Sequence, residues 1–264
     1  MRPLSRLLGV ATMALSTVAV GGWTGLGFRS DYDGVELVGQ LIKPRSGGPF
    51  PTVILLHGCG GVFGSAEEAL RRHATWLAKH GYAALILDSF GPRDLTGGQM
   101  CSLDNLARAR EFRPLDVTAA VRHLVQQPYV DSDNLFLMGQ SNGGSVALRL
   151  AGGGYDYGLD EDFRFRAMVA YYPWCGAVRP RMVTPVLMFV AGRDDWVDPG
   201  ECHYVAAAER GAPLKLVSYE RAHHSFDLDI EFQHFEGRAV AGNPKAARDS
   251  RRKMVDFFNR HRAE

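Results

Sequence analysis

The stretch Asn134-Leu-Phe-Leu-Met138-Gly139-Gln-Ser141-Asn-Gly143-Gly144-Ser-Val-Ala-Leu-Arg-Leu-Ala151 decides how this chain folds. Asn134 to Met138 is apolar after its leading asparagine and short, which suits a strand covered on both faces. Gly143 to Ala151 reads as a helix. Between them stands Gly139-Gln140-Ser141-Asn142-Gly143. A Gly-x-Ser-x-Gly pentapeptide is common by chance. Between a strand and a helix it describes a turn so tight that side chains two residues from the serine are hard to accommodate. Such a turn presents the Ser141 hydroxyl at the positive end of a helix dipole, where a developing anion is favoured.

Working outward, the same alternation repeats. Thr52 to Leu56, Ala83 to Leu87, Ala167 to Tyr172, Val186 to Ala191 and Leu214 to Tyr219 are apolar nearly throughout and predict further strands. Helical patterns separate them. Ser65-Ala-Glu-Glu68 has the form of a capping box opening a helix that stops at Gly81. Pro114 to Gln127 predicts a second helix and Pro244 to Arg260 a closing one, each with proline at its first turn. Asp33-Gly34 to Lys43 predicts a hairpin or edge strands. The expected fold is α/β, a mostly parallel sheet with helices on both faces, formed by one domain over 25–264. No internal repeat or low-complexity linker interrupts it.

Ligands of open α/β sheets sit beyond the carboxyl ends of the strands, so the residues just after each strand are the candidates for chemistry. A serine hydroxyl needs a base to take its proton. After Leu214 to Tyr219 come His223 and His224, adjacent residues whose side chains cannot share one direction. The base in turn needs an acid to orient it. After Val186 to Ala191 come Asp194, Asp195 and Asp198, each also readable as a turn residue or helix cap. The order serine, acid, histidine follows. An oxyanion needs amide donors. The N–H of Asn142 and that of Cys59, in Leu56-His57-Gly58-Cys59-Gly60-Gly61, are the expected pair, with Gly60 as the neighbouring option. His57 is expected to hold this loop rather than to move protons.

Bulk properties bound the rest. The 264 residues carry a formal net charge of +1, so no global field attracts nucleic acid or anionic lipid. Arg248, Arg251, Arg252 and Lys253 lie on a helical pattern and read as a solvated face. Residues 1–24 combine a basic start, an apolar core from Leu7 to Val20 and a glycine pair. That is the layout of a signal peptide, too short for a membrane span. The expected location is periplasmic or secreted, with a retained N-terminal anchor or a buried first helix as the other readings of the segment and the cytoplasm as the alternative location. Cys59, Cys101, Cys175 and Cys202 show no Cys-x-x-Cys spacing, and the acids around His203 match no zinc pattern, so no metal or other cofactor is expected. If the protein is exported, the four cysteines permit one or two disulfides, Cys175 with Cys202 being one pair that could meet; four buried thiols are the other reading.

The motifs His57-Gly-Cys-Gly-Gly61, Asp88-Ser-Phe-Gly-Pro-Arg93, Arg113 with Asp116, Gly139-Gln-Ser-Asn-Gly-Gly144, Gly192-x-x-Asp195 and His224-Ser-Phe226 together resemble the dienelactone hydrolase family. The resemblance runs from about residue 30 to the C-terminus. It implies the α/β-hydrolase fold, a catalytic triad and hydrolysis of carboxylic esters or lactones through an acyl-enzyme. By the family's spacing it selects Asp195 over Asp194 as the acid and His224 over His223 as the base. It also implies that Arg93 grips a substrate carboxylate, a salt bridge with Asp88 or Asp94 being the other reading. Arg113 and Asp116 are expected to pin the long excursion from Gly91 to Arg113, which shapes the pocket. Two departures stand out. The dienelactone enzymes use cysteine where this chain has Ser141, and they carry a second arginine soon after the His-Ser-Phe motif, where Asp227-Leu-Asp229 stands here.

The expected partner is a small soluble ester or lactone; the oligomeric state is not legible. A peptidase or thioesterase using the same three residues is the rival within enzymes. A non-catalytic binding protein on a hydrolase scaffold is the rival outside them, and it would not require the full set of serine, histidine, acid and glycine loop.

Overall fold

The computed structural model describes residues 19–95, 97–153, 163–176 and 178–264. Residues 1–18, most of the segment expected to be a signal peptide, lie outside them. Eight of the described strands form one sheet: β1 (Thr24–Arg29), β2 (Glu36–Ile42), β3 (Phe50–Leu56), β4 (Ala83–Asp88), β5 (Val130–Gln140), β6 (Ala167–Tyr171), β7 (Val186–Ala191) and β8 (Leu214–Tyr219). Their spatial order is β1-β2-β4-β3-β5-β6-β7-β8. From β4 to β8 every neighbouring pair is parallel, while β2 is antiparallel to both β1 and β4. The expected edge hairpin is therefore present, turning at Gly34 with a positive φ of 73°. Residues before it also meet the sheet edge, where Val20 bridges Pro44.

The alternation of side chains along each strand divides the core in two. Ile54, Leu56, Leu135 and Leu137 face one way, against Val117, Val121 and Leu124 of α2 (Leu103–Leu124), Val146 and Leu148 of α3 (Asn142–Ala151) and Val205 of α4 (Pro199–Ala208). Val53, Leu55, Phe136 and Met138 face the other way, against Leu70, Ala74 and Leu77 of α1 (Gly64–Lys79) and Met254, Val255 and Phe258 of α5 (Pro244–Arg260). A strand sandwiched between two helical layers has no polar face. That is why these segments are apolar without alternation.

Two helix starts differ from expectation. Ser65 does not cap α1: the helix begins at Gly64 after Phe63, with no side-chain cap. Phe63, Gly64 and Ser65 line the site cavity, so the pocket loop sets where the helix begins. The would-be capping acid Glu68 pairs instead with Arg72, and Glu67 with Arg71, one turn along. The second helix begins at Leu103, capped by the Ser102 hydroxyl, and Pro114 lies inside it. A proline there removes one helical N–H, that which would reach the Arg110 carbonyl. The long excursion before Arg113 thus carries two short 3-10 turns, Gly91–Arg93 and Gly97–Cys101, and the first half of α2.

All four cysteines are paired, Cys59 with Cys101 and Cys175 with Cys202. The second pair joins the loop after β6 to α4 across 27 residues of chain and is fully buried. Cross-linking a loop of this length restricts the unfolded chain by roughly 3 kcal/mol. We therefore expect Cys175→Ser to lower unfolding free energy by about that amount in urea titrations under oxidising conditions; unchanged midpoints would refute it.

Candidate active site

Ser141 sits between the end of β5 and the first residue of α3, with φ +49° and ψ −115°, a backbone conformation rarely open to a side-chain-bearing residue. The turn closes because its neighbours lack Cβ atoms. A Cβ on Gly139 would lie 2.1 Å from the Gly143 carbonyl oxygen, and one on Gly143 would lie 2.6 Å from the carbonyl oxygens of Leu56 and His57. The sequence dictates this turn locally and the sheet holds it, with the Ser141 N–H donating to the Tyr171 carbonyl at 2.9 Å.

The Ser141 hydroxyl lies 2.9 Å from Nε2 of His224, and Nδ1 of His224 lies 2.7 Å from Oδ2 of Asp194. With a carboxylate on one side, Nδ1 carries the proton and Nε2 is free to accept from the serine. His224 and Asp194 are both buried. The expectation of Asp195 is thereby corrected: the acid against the imidazole is Asp194. The three acids after β7 have separate tasks. Asp194 also accepts from the N–H groups of Trp196 and Val197. Asp195 turns away and accepts from the N–H of Ala239. Asp198 caps α4 through Gly200. His223, next to His224, packs against Phe232 instead.

The loop after β3 faces this trio. Gly61 N–H closes a turn onto the Gly58 carbonyl, leaving the Cys59 and Gly60 amides outside the turn's own hydrogen bond. Asn142, first residue of α3, has an N–H with no acceptor inside the helix. Cys59, Ser141 and His224 line both lobes of the cavity described below. Arg113 ties the two donor-bearing segments together: it donates to the Asn142 side chain and, at 2.8 Å, to the His57 carbonyl. Burial lowers its pKa to about 10, so it remains a cation at neutral pH. His57 holds the loop as expected. Its Nδ1 donates to the Gly58 carbonyl at 2.6 Å and its Nε2 accepts from Ser89.

Arg93 does not do what the resemblance implied. Its side chain is 9% exposed, and it donates to Asp33, to Asp116, to the Ser89 carbonyl and to Ser30. It lines neither lobe. With two carboxylates already on it, no donor is left for a substrate. The partners are Asp33 and Asp116, supplied by the edge hairpin and α2, rather than Asp88 or Asp94.

A network under the trio has no counterpart in the sequence reading. Asp227 is fully buried and accepts from His73 of α1, from Gln140 next to the serine and from the Tyr172 hydroxyl, each at 2.6 Å. Burial would raise the Asp227 pKa, but His73 and the two other donors outweigh it and hold the carboxyl below its usual range. Tyr172 in turn sets its ring edge against His224, centroids 4.6 Å apart. Only its position, three residues after His224, hinted at Asp227; nothing in the sequence pointed to His73.

The cavity over Ser141 has two lobes. The larger, about 460 Å³, is walled by Phe63, Tyr172, Leu228, Ile230, Phe235 and Val240 among others. The smaller, about 140 Å³, is walled by Leu103, Leu106, Arg110, Trp174 and Val197. Gly97, Gly98, Leu103, Leu106 and Arg110 come from the long excursion, which shapes the pocket as expected. Among the described residues no group of three or more His, Cys, Asp or Glu could hold a metal ion, and no helix is long and apolar enough to cross a membrane.

An eight-stranded, mostly parallel sheet with helices on both faces, carrying a serine on a strand-to-helix turn, is the α/β-hydrolase architecture. Residues 37–262 match the model of the dienelactone hydrolase family, and the chain belongs to that family. It is a carboxylic ester hydrolase. A Bradyrhizobium sp. protein named "Probable 2-oxo-3-(5-oxofuran-2-ylidene)propanoate lactonase" is 28% identical over 203 residues, covering 70% of this chain and 74% of that protein. The fold is shared by solved structures, two of which follow. Dienelactone hydrolase from Anabaena variabilis has a TM-score of 0.66 at 18% identity, covering 92% of this chain and 99% of its own. A dienelactone hydrolase-like promiscuous phosphotriesterase from metagenomic libraries has a TM-score of 0.69 at 20% identity, covering 91% and 99%.

The buried histidines give a pH dependence. Burial, and for His57 the nearby Arg113, lowers the pKa of His57 well below 6.5, and burial lowers that of His73. Below pH 6.5 the unfolded chain therefore binds protons that the folded chain refuses, and stability is lost as pH falls. We expect the urea midpoint to drop between pH 7.5 and pH 5.0, and to drop less in His57→Gln. Equal midpoints at both pH values in the parent protein would contradict this.

Proposed function

We propose that the protein is a serine hydrolase that cleaves carboxylic esters or lactones of small soluble substrates through an acyl-enzyme. The observation that carries this reading is the continuous hydrogen-bonded line from Asp194 through His224 to Ser141, on a turn that exposes the hydroxyl. As the Ser141 oxygen attacks the substrate carbonyl, its proton passes to Nε2 of His224, and Asp194 stabilises the imidazolium. The oxyanion takes the N–H groups of Asn142 and Cys59, with the α3 dipole behind them. The imidazolium then protonates the leaving oxygen. Water, activated by the same imidazole, attacks the acyl-enzyme and returns Ser141. For a lactone, the leaving oxygen stays tethered until this second step.

Arg113 and the Asp227 network act as positioning groups: one fixes the two oxyanion arms together, the other braces Tyr172 and Gln140 around the trio. The large, apolar lobe suits an apolar acyl or alcohol part. The lactonase name of the Bradyrhizobium relative supports including lactones among the substrates. Two disulfides support a working place in an oxidising compartment, periplasmic or extracellular.

A fluorophosphonate probe and p-nitrophenyl acetate test the reading together. We expect the parent protein to be labelled and to turn over the ester, with Ser141→Ala losing both. His224→Ala should lose turnover. Asp194→Asn should lower kcat about 10⁴-fold, by leaving the wrong imidazole tautomer, whereas Asp195→Asn should keep most activity. A silent Asp194→Asn would remove Asp194 from the mechanism, and an unlabelled parent protein would remove Ser141.

A further inference from the structure

Among the described residues, four line both lobes of the cavity: Cys59, Ser141, Trp196 and His224. Cys59, Ser141 and His224 supply an oxyanion donor, the nucleophile and the base in the reaction proposed. Trp196 has no part in it, yet it stands two residues after Asp194 in the same turn.

The neighbours of Trp196 converge on His224. Its indole lies nearly parallel to the imidazole, with 28° between the planes and 5.6 Å between the centroids. The Tyr172 ring meets the same imidazole at a steep angle, 61°. Asp194 serves both partners of the stack: Oδ2 holds Nδ1 of His224, while Oδ1 accepts from the Trp196 N–H at 2.9 Å. A short hairpin, Gln233–Phe235 paired with Arg238–Val240, packs on the indole as well. Phe235 lies nearly parallel to it, centroids 6.1 Å apart, and the Arg238 guanidinium is 5.9 Å from its centroid. Asp195 moors that hairpin by accepting from the Ala239 N–H and, through its carbonyl, from Arg238, and Val240 bridges the His224 backbone. The acid that stays clear of the imidazole therefore anchors the segment that packs on Trp196.

We propose that Trp196 is a positioning residue for His224, its indole face holding the imidazole plane and stabilising the imidazolium formed when Ser141 gives up its proton. This rests on the reading of Ser141 as nucleophile and His224 as base. A hydrogen bond at Nδ1 fixes a direction for the imidazole but not its tilt about that direction; a flat neighbour fixes the tilt. The indole face also attracts a cation through its quadrupole, and so holds the imidazolium more strongly than the neutral ring. An interaction that strengthens as charge forms lowers the barrier and is read in kcat. A residue that merely walled the cavity would be read in KM.

Hydrolysis of p-nitrophenyl acetate by two variants tests it. Trp196→Leu keeps apolar bulk without a π face, and Trp196→Phe keeps a smaller face. We expect kcat to fall about tenfold in Trp196→Leu and about threefold in Trp196→Phe, with KM within about twofold of the parent protein in both. The rate of fluorophosphonate labelling at Ser141 should fall in the same order, because it too needs His224 to take the proton. Trp196→Met, apolar and flexible, replaces Trp196→Leu should that variant not fold. An unchanged kcat in Trp196→Leu, a loss confined to KM, or equal losses in the two variants overturns the proposal. Turnover surviving in Ser141→Ala would instead end the reading on which it rests. Proton NMR reads the positioning apart from turnover. In Ser141→Ala the His224 Nδ1 proton, shared with Asp194, should give a downfield resonance protected from exchange with water. Adding Trp196→Leu should broaden or remove it, and adding Trp196→Phe should leave it visible. A resonance equally sharp with Trp196→Leu sinks the proposal, whatever becomes of Ser141.

Discussion

The constraint on which this molecule turns is the absence of two Cβ atoms. Gly139 and Gly143 let the end of β5 fold back on the start of α3, with the carbonyl oxygens of Leu56 and His57 pressed against the turn. Ser141 is forced into a left-handed conformation there, a local cost of order 1–3 kcal/mol. The sheet offsets it. Parallel strands on both sides of β5 and helices on both faces over-determine where that turn lies. Because the serine is fixed by backbone rather than by its own side chain, its hydroxyl is left free to face His224.

Around this point the fold uses long-range polar ties, each buried where an unmet donor or acceptor is costly. Arg113 joins α2 to both the β3 loop and the start of α3. Asp227 joins α1, β5, the segment after β6 and the histidine loop. Cys59 is covalently tied to Cys101 in the excursion that walls the cavity. The Arg113 guanidinium, the Asp227 carboxylate and the Cys59–Cys101 bond itself need not touch the reacting atoms. They make four loops from distant parts of the chain hold one geometry, which is what a site of pre-set donors requires.

Much of this was legible in the sequence, for a physical reason. Strands buried on both faces cannot be polar, and a tight turn cannot carry bulk, so β3 to β8 and the Ser141 turn are written in composition. A histidine was expected after β8, and the family resemblance picked His224 over His223 there. The acid was not legible. Asp194 and Asp195 are adjacent in one turn, and the spacing that selected Asp195 cannot express which side chain rotates toward the imidazole; the Ala239 amide, 44 residues away, takes Asp195. Arg93 failed likewise. Its partners Asp33 and Asp116 lie 60 and 23 residues off, and only folding brings them together. Pro114 misled as a helix start because tertiary contacts of Leu103 to Arg113 outweigh the hydrogen bond that proline removes.

The fate of the two arginines shows how charge is apportioned in such a pocket. A guanidinium with two carboxylates at 2.8–2.9 Å is neutralised and orders the hairpin against α2; it has no field left to offer a ligand. Arg110, six residues before Asp116 on the same helix, has the Trp174 ring beside it instead of an acid. The ring beneath it restricts its rotamers without taking up its N–H donors. The helix thus separates structural from available positive charge by pairing one arginine and merely propping the other. A reading of sequence alone sees two arginines of equal standing; which of them is tied into the fold is decided by the acids that folding brings to it.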